Sequence, residues 1–261
     1  MSRISKAFEN KKAFIAFLTG GDPCIEVTEE LIPKMAEAGA DIIEIGIPFS
    51  DPIAEGVVIQ AADERALKAG TTTDKLFDMV KRVREKVDIP LVFMTYINPV
   101  YTYGVERFTK RCAECGIDGI IIPDVPFEEK EEVRDVFENA GIELISMIAP
   151  TSKERIRMIA GEAKGFLYCV SSLGVTGVRS KITTNISEMV EQVKKVSDIP
   201  CAIGFGIATP EQAYEMASCS DGAIVGSAIV KLIAKNGKNC ITPVCDYVRD
   251  MKAAVDRAYS A

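Results

Sequence analysis

The sequence contains no histidine and no tryptophan. Without histidine the chain has no Ser-His-Asp or Cys-His nucleophilic system, no imidazole general base and no imidazole metal ligand. Any proton transfer in an active site of this chain must therefore be carried out by carboxylates, lysine, tyrosine or cysteine.

The chain also lacks a long apolar segment and an excess of positive charge. No uncharged apolar run approaches the roughly 18 residues needed to span a bilayer, and residues 1–12 contain no signal-peptide hydrophobic region. The 31 Lys and Arg residues are outnumbered by 38 Asp and Glu residues, and the net charge of -7 argues against general affinity for nucleic acid or anionic membranes. We expect a cytoplasmic protein in which any phosphate site is local.

The eight cysteines are scattered through apolar or helical segments, which is typical of reduced thiols rather than of a disulfide framework. One C-x-x-C pair, Cys112 and Cys115, lies at the end of a predicted helix before Gly116. A zinc site there would need a second pair or a histidine, and the sequence contains neither. We interpret the pair as two half-buried helix residues and expect no metal.

Short β-rich apolar segments alternate with longer amphipathic segments, which predicts alternating strands and helices. Eight strands are predicted, at residues 13–18, 41–45, 91–95, 119–122, 143–148, 166–170, 201–205 and 222–225. Helices are predicted at residues 27–38, 74–86, 105–115, 128–140, 152–162, 186–196, 210–217 and 242–259.

This alternation indicates an α/β fold. Eight parallel strands close a (β/α)8 TIM barrel, and 261 residues suit one domain of that kind, spanning residues 1–261. An open, doubly wound sheet would show the same alternation. We favour the barrel because of the strand count and because the unusual residues follow the strand ends, whose loops share one face of a barrel.

A carboxylate interrupts the second predicted strand. Glu44 is flanked by Ile43 and Ile45, so we expect it to be buried, and an isolated buried carboxylate is costly unless it is protonated or partnered. It can instead be structural and bind loop amides, but we favour proton transfer, for which a raised pKa is suited. Glu55, in the following loop, offers a second carboxylate in a different environment, although its spacing alone predicts a solvated loop acid.

Glycine-rich segments follow the seventh and eighth predicted strands. Gly204 and Gly206 lie at the end of the seventh, and Gly226 follows the eighth, just before a short predicted helix that starts near Ser227. Because glycines allow backbone N–H groups to approach a ligand and a helix N-terminus attracts anions, the pattern predicts a barrel phosphate site. Either segment alone would equally suit a tight turn.

A Ser-, Gly- and Thr-rich loop follows the sixth predicted strand. Residues 168–177 lead into a segment that stays polar through Asn185, which is typical of a mobile lid over the barrel mouth, with an ordinary surface loop as the alternative. No Lys occupies the C-terminal end of a predicted strand, which disfavours a Schiff-base aldolase. The two carboxylates remain as candidate acid–base groups.

Seven motifs, spread over almost the whole chain, together resemble the tryptophan synthase α subunit family. They are residues 17–23, 44–60, 123–126, 149–152, 172–177, 204–206 and 226–229. The segment Pro-Phe-Ser-Asp-Pro at residues 48–52 is the most specific of these features. The resemblance implies a (β/α)8 barrel that cleaves indole-3-glycerol phosphate to indole and glyceraldehyde 3-phosphate in tryptophan biosynthesis, without a cofactor.

The resemblance also implies roles for individual residues. Glu44 takes the position of the glutamate that protonates the released indole carbon and assists deprotonation of the glycerol hydroxyl, and Glu55 that of the carboxylate that contacts the indole N–H. The matching phosphate-binding positions are Gly177, Gly206, Gly226 and Ser227. The matching indole-pocket positions are Phe17, Ile59, Tyr96, Ile121, Met147, Tyr168 and Phe205. Taken singly, each pocket residue is explained equally well by core packing.

A partner is implied as well. The family works with a PLP-dependent β subunit, which suggests an α2β2 heterotetramer in which this chain carries no PLP. Asp51, Pro48 and residues 172–181 match regions that face the partner. Thr176 matches a lid residue that closes onto the second carboxylate.

Two residues depart from the family motif, which usually has Asp in place of Glu55 and Pro in place of Val57. The added methylene lengthens the reach of the acid, and the loss of Pro relaxes the loop backbone. Since a displacement of about 1 Å can cost ~100-fold in rate, two alternatives stay open. One is a weakly active or non-catalytic regulatory subunit that keeps phosphate-ligand binding, and the other is a related indole-releasing lyase.

Overall fold

A computed structural model describes residues 2–170, 179–204 and 206–260, without the side chains of residues 179–185. Its strands are β1 (Ala13–Thr19), β2 (Ile42–Gly46), β3 (Leu91–Met94), β4 (Gly119–Ile121), β5 (Glu143–Leu144), β6 (Ser146–Ile148), β7 (Leu167–Val170), β8 (Cys201–Gly204) and β9 (Gly222–Val225). Its α-helices are α1 (Arg3–Ala7), α2 (Ile25–Glu37), α3 (Val57–Lys68), α4 (Thr73–Arg84), α5 (Ile97–Tyr103), α6 (Val105–Cys115), α7 (Glu131–Asn139), α8 (Lys153–Glu162), α9 (Arg179–Lys194), α10 (Pro210–Ser218), α11 (Ser227–Asn236) and α12 (Ile241–Tyr259). None of these described helices is long and apolar enough to cross a membrane.

The strands form one parallel sheet in the order β5-β4-β3-β2-β1-β9-β8-β7-β6. The two ends of that order, β5 and β6, are separated in the chain by Ile145 alone, whose N–H donates to the Ile120 carbonyl oxygen at 2.9 Å. They are therefore the two halves of the fifth predicted strand, and the sheet curls into the predicted barrel. The ninth strand arises from this one-residue break.

The strand side chains alternate between two buried regions. Ile43 and Ile45 of β2 belong to the large core that the helices cover, whereas Ile42 belongs to a smaller cluster inside the barrel. Because neighbouring strand residues point to opposite faces of the sheet, Glu44 points inward with Ile42. The period-2 pattern of the strand thus places a carboxyl group in the barrel interior.

Helix α1 closes the N-terminal end of the barrel. Ile4 and Ala7 are buried in the interior cluster, and the Phe8 ring lies 5.7 Å from that of Phe166. A Cβ atom added to Gly119 would lie 2.9 Å from Ile4 Cδ1, so this glycine makes room for the helix. The opposite, C-terminal end is left as the place for a ligand.

Three helices were not predicted from the sequence, namely α1, α3 and α5. The sequence predicts no helix between residues 38 and 74, but α3 begins at Val57, directly after the loop that contains Glu55. Its start lacks a side-chain cap, because Gly56 occupies the N-cap position, and a β-branched pair opens it. Packing of Ile59, Ala62 and Ala66 stabilises the helix instead.

The prediction that the lid loop continues through Asn185 is wrong for residues 179–185, because their backbone forms the first turns of α9. Thr and Asn have low helix propensity, but the buried Ile186, Met189 and Val193 anchor the following turns. The rest of the predicted lid, including Thr176 and Gly177, lies outside the described residues.

Candidate active site

Glu44 is fully buried inside the barrel, paired in register with Phe17 of β1 and Val92 of β3. Neither of its carboxyl oxygens has a hydrogen-bond partner among the described residues, which argues against a structural glutamate bound to loop amides. Burial alone raises the pKa of Glu44 from its usual 4.5 to about 8. The group is therefore protonated at neutral pH and available both to give a proton and to take one back.

Tyr168 of β7 lies close to this carboxyl group. Burial raises the pKa of its phenol, and the nearby Glu44 raises it further. A Cβ atom added to Gly204 on the neighbouring strand β8 would lie 2.6 Å from the Tyr168 ring, so glycine is needed there for the ring to fit. Glu44 thus faces an aromatic wall across the barrel interior.

The Phe17 ring lies across the mouth between the ends of β2 and β9. A Cβ atom on Gly46 would come within 2.8 Å of this ring, and one on Gly226 within 3.1 Å. Phe17 packs with Ile59 of α3 and with Met94, a residue that the sequence interpretation missed. Phe17 borders the Glu44 carboxyl group from β1, with which it is paired in register, and Tyr168 lies near it on β7.

Tyr96 follows β3 and holds the loop formed by residues 47–56. Its buried hydroxyl accepts a hydrogen bond from the Ala54 N–H at 3.0 Å, and its ring lies 5.7 Å from that of Phe49. Burial raises the pKa of Tyr96 to about 12, so the hydroxyl stays neutral. This predicted pocket residue therefore fixes the backbone directly before Glu55.

The remaining described pocket candidates lie deeper in the barrel. Ile121 is fully buried in the interior cluster, and Met147 packs against the same cluster. Both lie on inner faces of their strands, below the mouth. The seventh candidate, Phe205, is outside the described residues.

Glu55 ends the loop and precedes α3, and its carboxyl group is turned inward. Its Oε2 atom is buried without a hydrogen-bond donor from another described group, and its side chain is within hydrogen-bonding range of Asp63. Burial raises the pKa of Glu55, and the contact with Asp63 opposes that shift. The expectation from spacing alone, a solvated loop acid, is wrong.

Asp63 was missed by the sequence interpretation, although a signal existed. It lies four residues after Ile59 and between Ala62 and Ala66, all on the buried face of α3. A charged residue within an apolar helical stripe is unusual, because a buried carboxylate needs a partner. Attention to helical periodicity beyond Gln60 would have found it.

Two backbone features predicted for phosphate binding lie side by side. Helix α11 starts at Ser227 immediately after β9, as predicted, and its first internal hydrogen bond runs from the Val230 N–H to the Gly226 carbonyl oxygen at 3.0 Å. The preceding N–H groups are free of helix bonding and carry the positive end of the helix dipole. Gly206, at φ 81°, follows the adjacent strand β8. Gly177 is outside the described residues.

The outer face of the 47–56 loop is exposed. Asp51 Oδ2 accepts a hydrogen bond from the Ser50 hydroxyl at 2.5 Å, and both residues face solvent. Ile53 and Val57 are 80% and 78% exposed, the highest fractions among the large apolar side chains that are described. The loop therefore turns a carboxylate inward and apolar side chains outward.

Cys112 and Cys115 of α6 are fully buried rather than half-buried, and burial raises the pKa of both thiols. They are consequently structural groups of low reactivity. Within the part of the chain that the structure describes, no group of three or more His, Cys, Asp or Glu side chains is arranged to hold a metal ion.

A closed parallel barrel with buried carboxyl groups and a helix N-terminus at its C-terminal mouth is the arrangement of a (β/α)8-barrel enzyme. A family model described as tryptophan synthase alpha chain matches residues 4–256. The chain belongs to the tryptophan synthase alpha chain family.

Individual relatives agree along almost the full length. The chain is 49% identical over 245 residues to the tryptophan synthase alpha chain of Caldanaerobacter subterraneus subsp. tengcongensis, covering 92% of this chain and 94% of that protein. It is 45% identical over 256 residues to that of Lacticaseibacillus casei, covering 98% and 96%. The structure of tryptophan synthase subunit alpha from Legionella pneumophila str. Paris superposes with a TM-score of 0.90 at 37% identity, covering 98% and 99%.

As a member of this family the chain is a lyase of tryptophan biosynthesis that cleaves indole-3-glycerol phosphate. The family, the barrel fold and the lyase activity predicted from the sequence are thereby confirmed.

Proposed function

We propose that Glu44 is the proton donor and acceptor of this cleavage and that Glu55 binds the indole N–H. The observation that carries the proposal is the isolation of Glu44, a fully buried carboxyl group with no partner among the described residues and a pKa of about 8. A neutral acid of this kind can protonate carbon, whereas a solvated glutamate would be ionised near pH 7.

In the proposed reaction, Glu44 first donates its proton to the indole ring carbon that carries the glycerol chain. The glycerol hydroxyl then gives its proton to the Glu44 carboxylate, its oxygen forms the aldehyde carbonyl, and the carbon–carbon bond breaks with its electron pair returning to the ring. The products are indole and glyceraldehyde 3-phosphate, and Glu44 ends protonated as it began. The Glu55 carboxylate stabilises the positive charge that develops on the indole nitrogen.

We propose that the substrate spans the mouth. Gly206, Gly226 and the free N–H groups at Ser227 hold the phosphate, because the start of α11 presents a positive dipole end. Phe17 and Tyr168, with the other predicted pocket residues, form the walls for the flat indole ring. The roles of Gly177, Phe205 and Thr176 remain predictions from the resemblance.

We further propose that the chain forms one domain over residues 1–261 and works in the cytoplasm with a PLP-dependent β subunit as an α2β2 heterotetramer. The exposed Ile53 and Val57 beside Asp51 support a partner at the outer face of the 47–56 loop, since large exposed apolar patches mark interaction sites. All eight cysteines are free thiols, which agrees with a reducing compartment.

The test of the acid is Glu44→Gln, which keeps the shape of the side chain but removes its proton chemistry. We expect indole release to fall at least about 100-fold, the lower range of general acid–base contributions, while the Kd for the unreactive ester glycerol 3-phosphate stays within about twofold. The matched control is Glu64→Gln, an exposed side chain paired with Lys68, which should leave both values unchanged. Undiminished indole release by Glu44→Gln would show that another group is the acid.

A further inference from the structure

Asp63 is a buried acid on α3 that faces the barrel mouth. Its residue is 3% exposed, and it belongs to the same face of the helix as Ile59 and Ala62, which pack against Phe17. Carboxyl groups are rarely buried to this extent unless they are paired or protonated. The groups around Asp63 must therefore either stabilise its negative charge or keep it protonated.

Three groups contact the Asp63 carboxyl group. The Thr19 hydroxyl at the end of β1 donates to Asp63 Oδ1 at 3.3 Å, and the backbone N–H of Phe49 in the 47–56 loop donates to it as well. The third contact is the carboxyl group of Glu55. Asp63 thus joins the strand end, the loop and the helix that enclose Glu55.

No Lys or Arg in the described part of the chain compensates the charge of the two acids. Among the described residues, neither Asp63 nor Glu55 forms an ion pair with Lys or Arg, and the nearby Arg65 uses its guanidinium to donate to both oxygens of Asp22 at 2.8 and 2.7 Å. The Tyr96 hydroxyl, facing the pair from the end of β3, stays neutral. Two ionised carboxylates in this setting would repel each other, since like charges that share a buried site cannot both be ionised at neutral pH.

One proton shared by the two carboxyl groups resolves both the repulsion and the missing donor. Glu55 Oε2 is buried, and no other hydrogen-bond donor among the described residues reaches it. A protonated carboxyl O–H shared between Glu55 and Asp63 would supply that donor. Burial and the Glu55 charge both raise the pKa of Asp63, to about 8. The titration belongs to the pair rather than to either residue.

We propose that Asp63 is the positioning residue for Glu55, holding it through a shared proton so that its longer side chain presents one negative charge to the indole N–H. The inference rests on the proposed role of Glu55. Asp63 itself acts only through Glu55, because it is anchored behind it by Thr19 and Phe49.

The shared proton is measurable by infrared titration of protonated carboxyl groups in Glu44→Gln, where Glu44 no longer contributes. Comparison with Glu44→Gln/Asp63→Asn at pH 7 should show the loss of one protonated carboxyl group, which in Glu44→Gln titrates near pH 8. The control Glu44→Gln/Glu64→Gln, changed one position along α3 at an exposed acid, should match Glu44→Gln. Equal spectra with and without Asp63 would overturn the pair.

The positioning role is tested by the pH profile of kcat in the otherwise unchanged chain. The acid limb of this profile is the fall of kcat at low pH, where the Glu55 carboxylate becomes protonated. Asp63→Ala leaves Glu55 without its hydrogen-bond donor, so the acid limb should move to higher pH. Near neutrality kcat should fall by about tenfold, as expected for the loss of a hydrogen bond to a charged group. Asp63→Asn still donates to Glu55 and should restore the acid limb. A purely structural role would change stability but leave this limb in place, and an unmoved limb in a folded Asp63→Ala overturns the proposal.

The variant Glu55→Gln separates this inference from the proposed function. Turnover of Glu55→Gln at the unchanged rate would overturn the role of Glu55 and with it the positioning role of Asp63. Loss of turnover in Glu55→Gln together with equal infrared spectra would overturn the shared proton alone.

Discussion

At the scale of single residues, the two candidate catalytic carboxyl groups lie in different surroundings. Glu44 has no partner among the described residues, whereas Glu55 has Asp63 beside it. On the proposed assignment, the same functional group is a neutral acid at Glu44 and part of a singly charged pair at Glu55. Environments that separate the protonation states of two acids are the usual way to divide acid and base roles.

The raised pKa of Glu44 makes the stability of the protein depend on pH. The folded chain keeps a proton that the unfolded chain loses between pH 4.5 and about 8, so this contribution to the unfolding free energy is fully present below pH 4.5 and is lost as pH rises through 8. In Glu44→Gln that contribution is absent. Urea denaturation measures the unfolding free energy of both chains. Between about pH 5 and pH 8, the unfolding free energy of Glu44→Gln should rise relative to that of the unchanged chain by up to about 1.4 kcal/mol per pH unit.

The control for this measurement is Glu64→Gln, whose exposed side chain pairs with Lys68. Its unfolding free energy should run parallel to that of the unchanged chain over the same pH range. A stability difference between Glu44→Gln and the unchanged chain that stays constant with pH would show that Glu44 is ionised in the folded protein.

At the scale of elements, the 47–56 loop and α3 form one unit that delivers two acids to the mouth. Tyr96 holds the loop from the end of β3, and the Asp22 carboxylate, just after β1, holds α3 through Arg65. The loop lacks regular structure, so its geometry depends on such contacts from neighbouring strand ends. Small changes in these contacts are expected to affect catalysis more than folding.

Tyr96→Phe removes the hydroxyl that accepts from the Ala54 N–H and leaves that donor unpaired. Since a hydrogen bond contributes about 1 kcal/mol, we expect kcat/KM for indole release to fall about fivefold, with little change in the Kd for glycerol 3-phosphate, which binds at other loops. The same substitution in Tyr101→Phe removes an exposed hydroxyl that donates to Glu132 at 2.7 Å. If the two variants lose the same activity, Tyr96 has no specific role in holding the loop.

At the scale of the whole molecule, the barrel has one closed and one open end. Helix α1 closes the N-terminal end with Ile4, and the functional groups gather at the C-terminal end, as the geometry of parallel barrels requires. The exposed apolar side chains of the 47–56 loop and the start of α3 lie at this open end. Partner contact there would reach the loop that carries Glu55 directly.

Val57→Ser therefore tests the proposed partner surface. The Val57 side chain is 78% exposed, so the substitution should leave the fold intact. It should raise the Kd for the β subunit about fivefold or more, which is the loss of affinity expected for an apolar side chain that is buried on binding. The control is Val196→Ser, an exposed valine after the C-terminal end of α9, at the opposite end of the barrel. Equal β-subunit affinity in both variants, measured by calorimetry, would contradict this location.

The sequence predicted what local chemistry determines. Period-2 and 3.6 patterns of apolar residues marked the strands and most helices because they set which face of each element is buried. The break at Ile145 and the early start of α9 were not predicted, because strand pairing and the packing of Ile186 decide them. Element boundaries depend on contacts with distant parts of the chain.

The sequence by itself determined that histidine takes no part in proton transfer, since it contains none, and it predicted that Glu44 is buried, since isoleucines flank it. Only the tertiary structure decided that Glu44 has no partner in the described chain and that Glu55 meets Asp63. Burial of one residue can be inferred from its neighbours in sequence. The protonation of a carboxyl group depends on the solvent and charges around it, which are supplied by segments that only folding brings together.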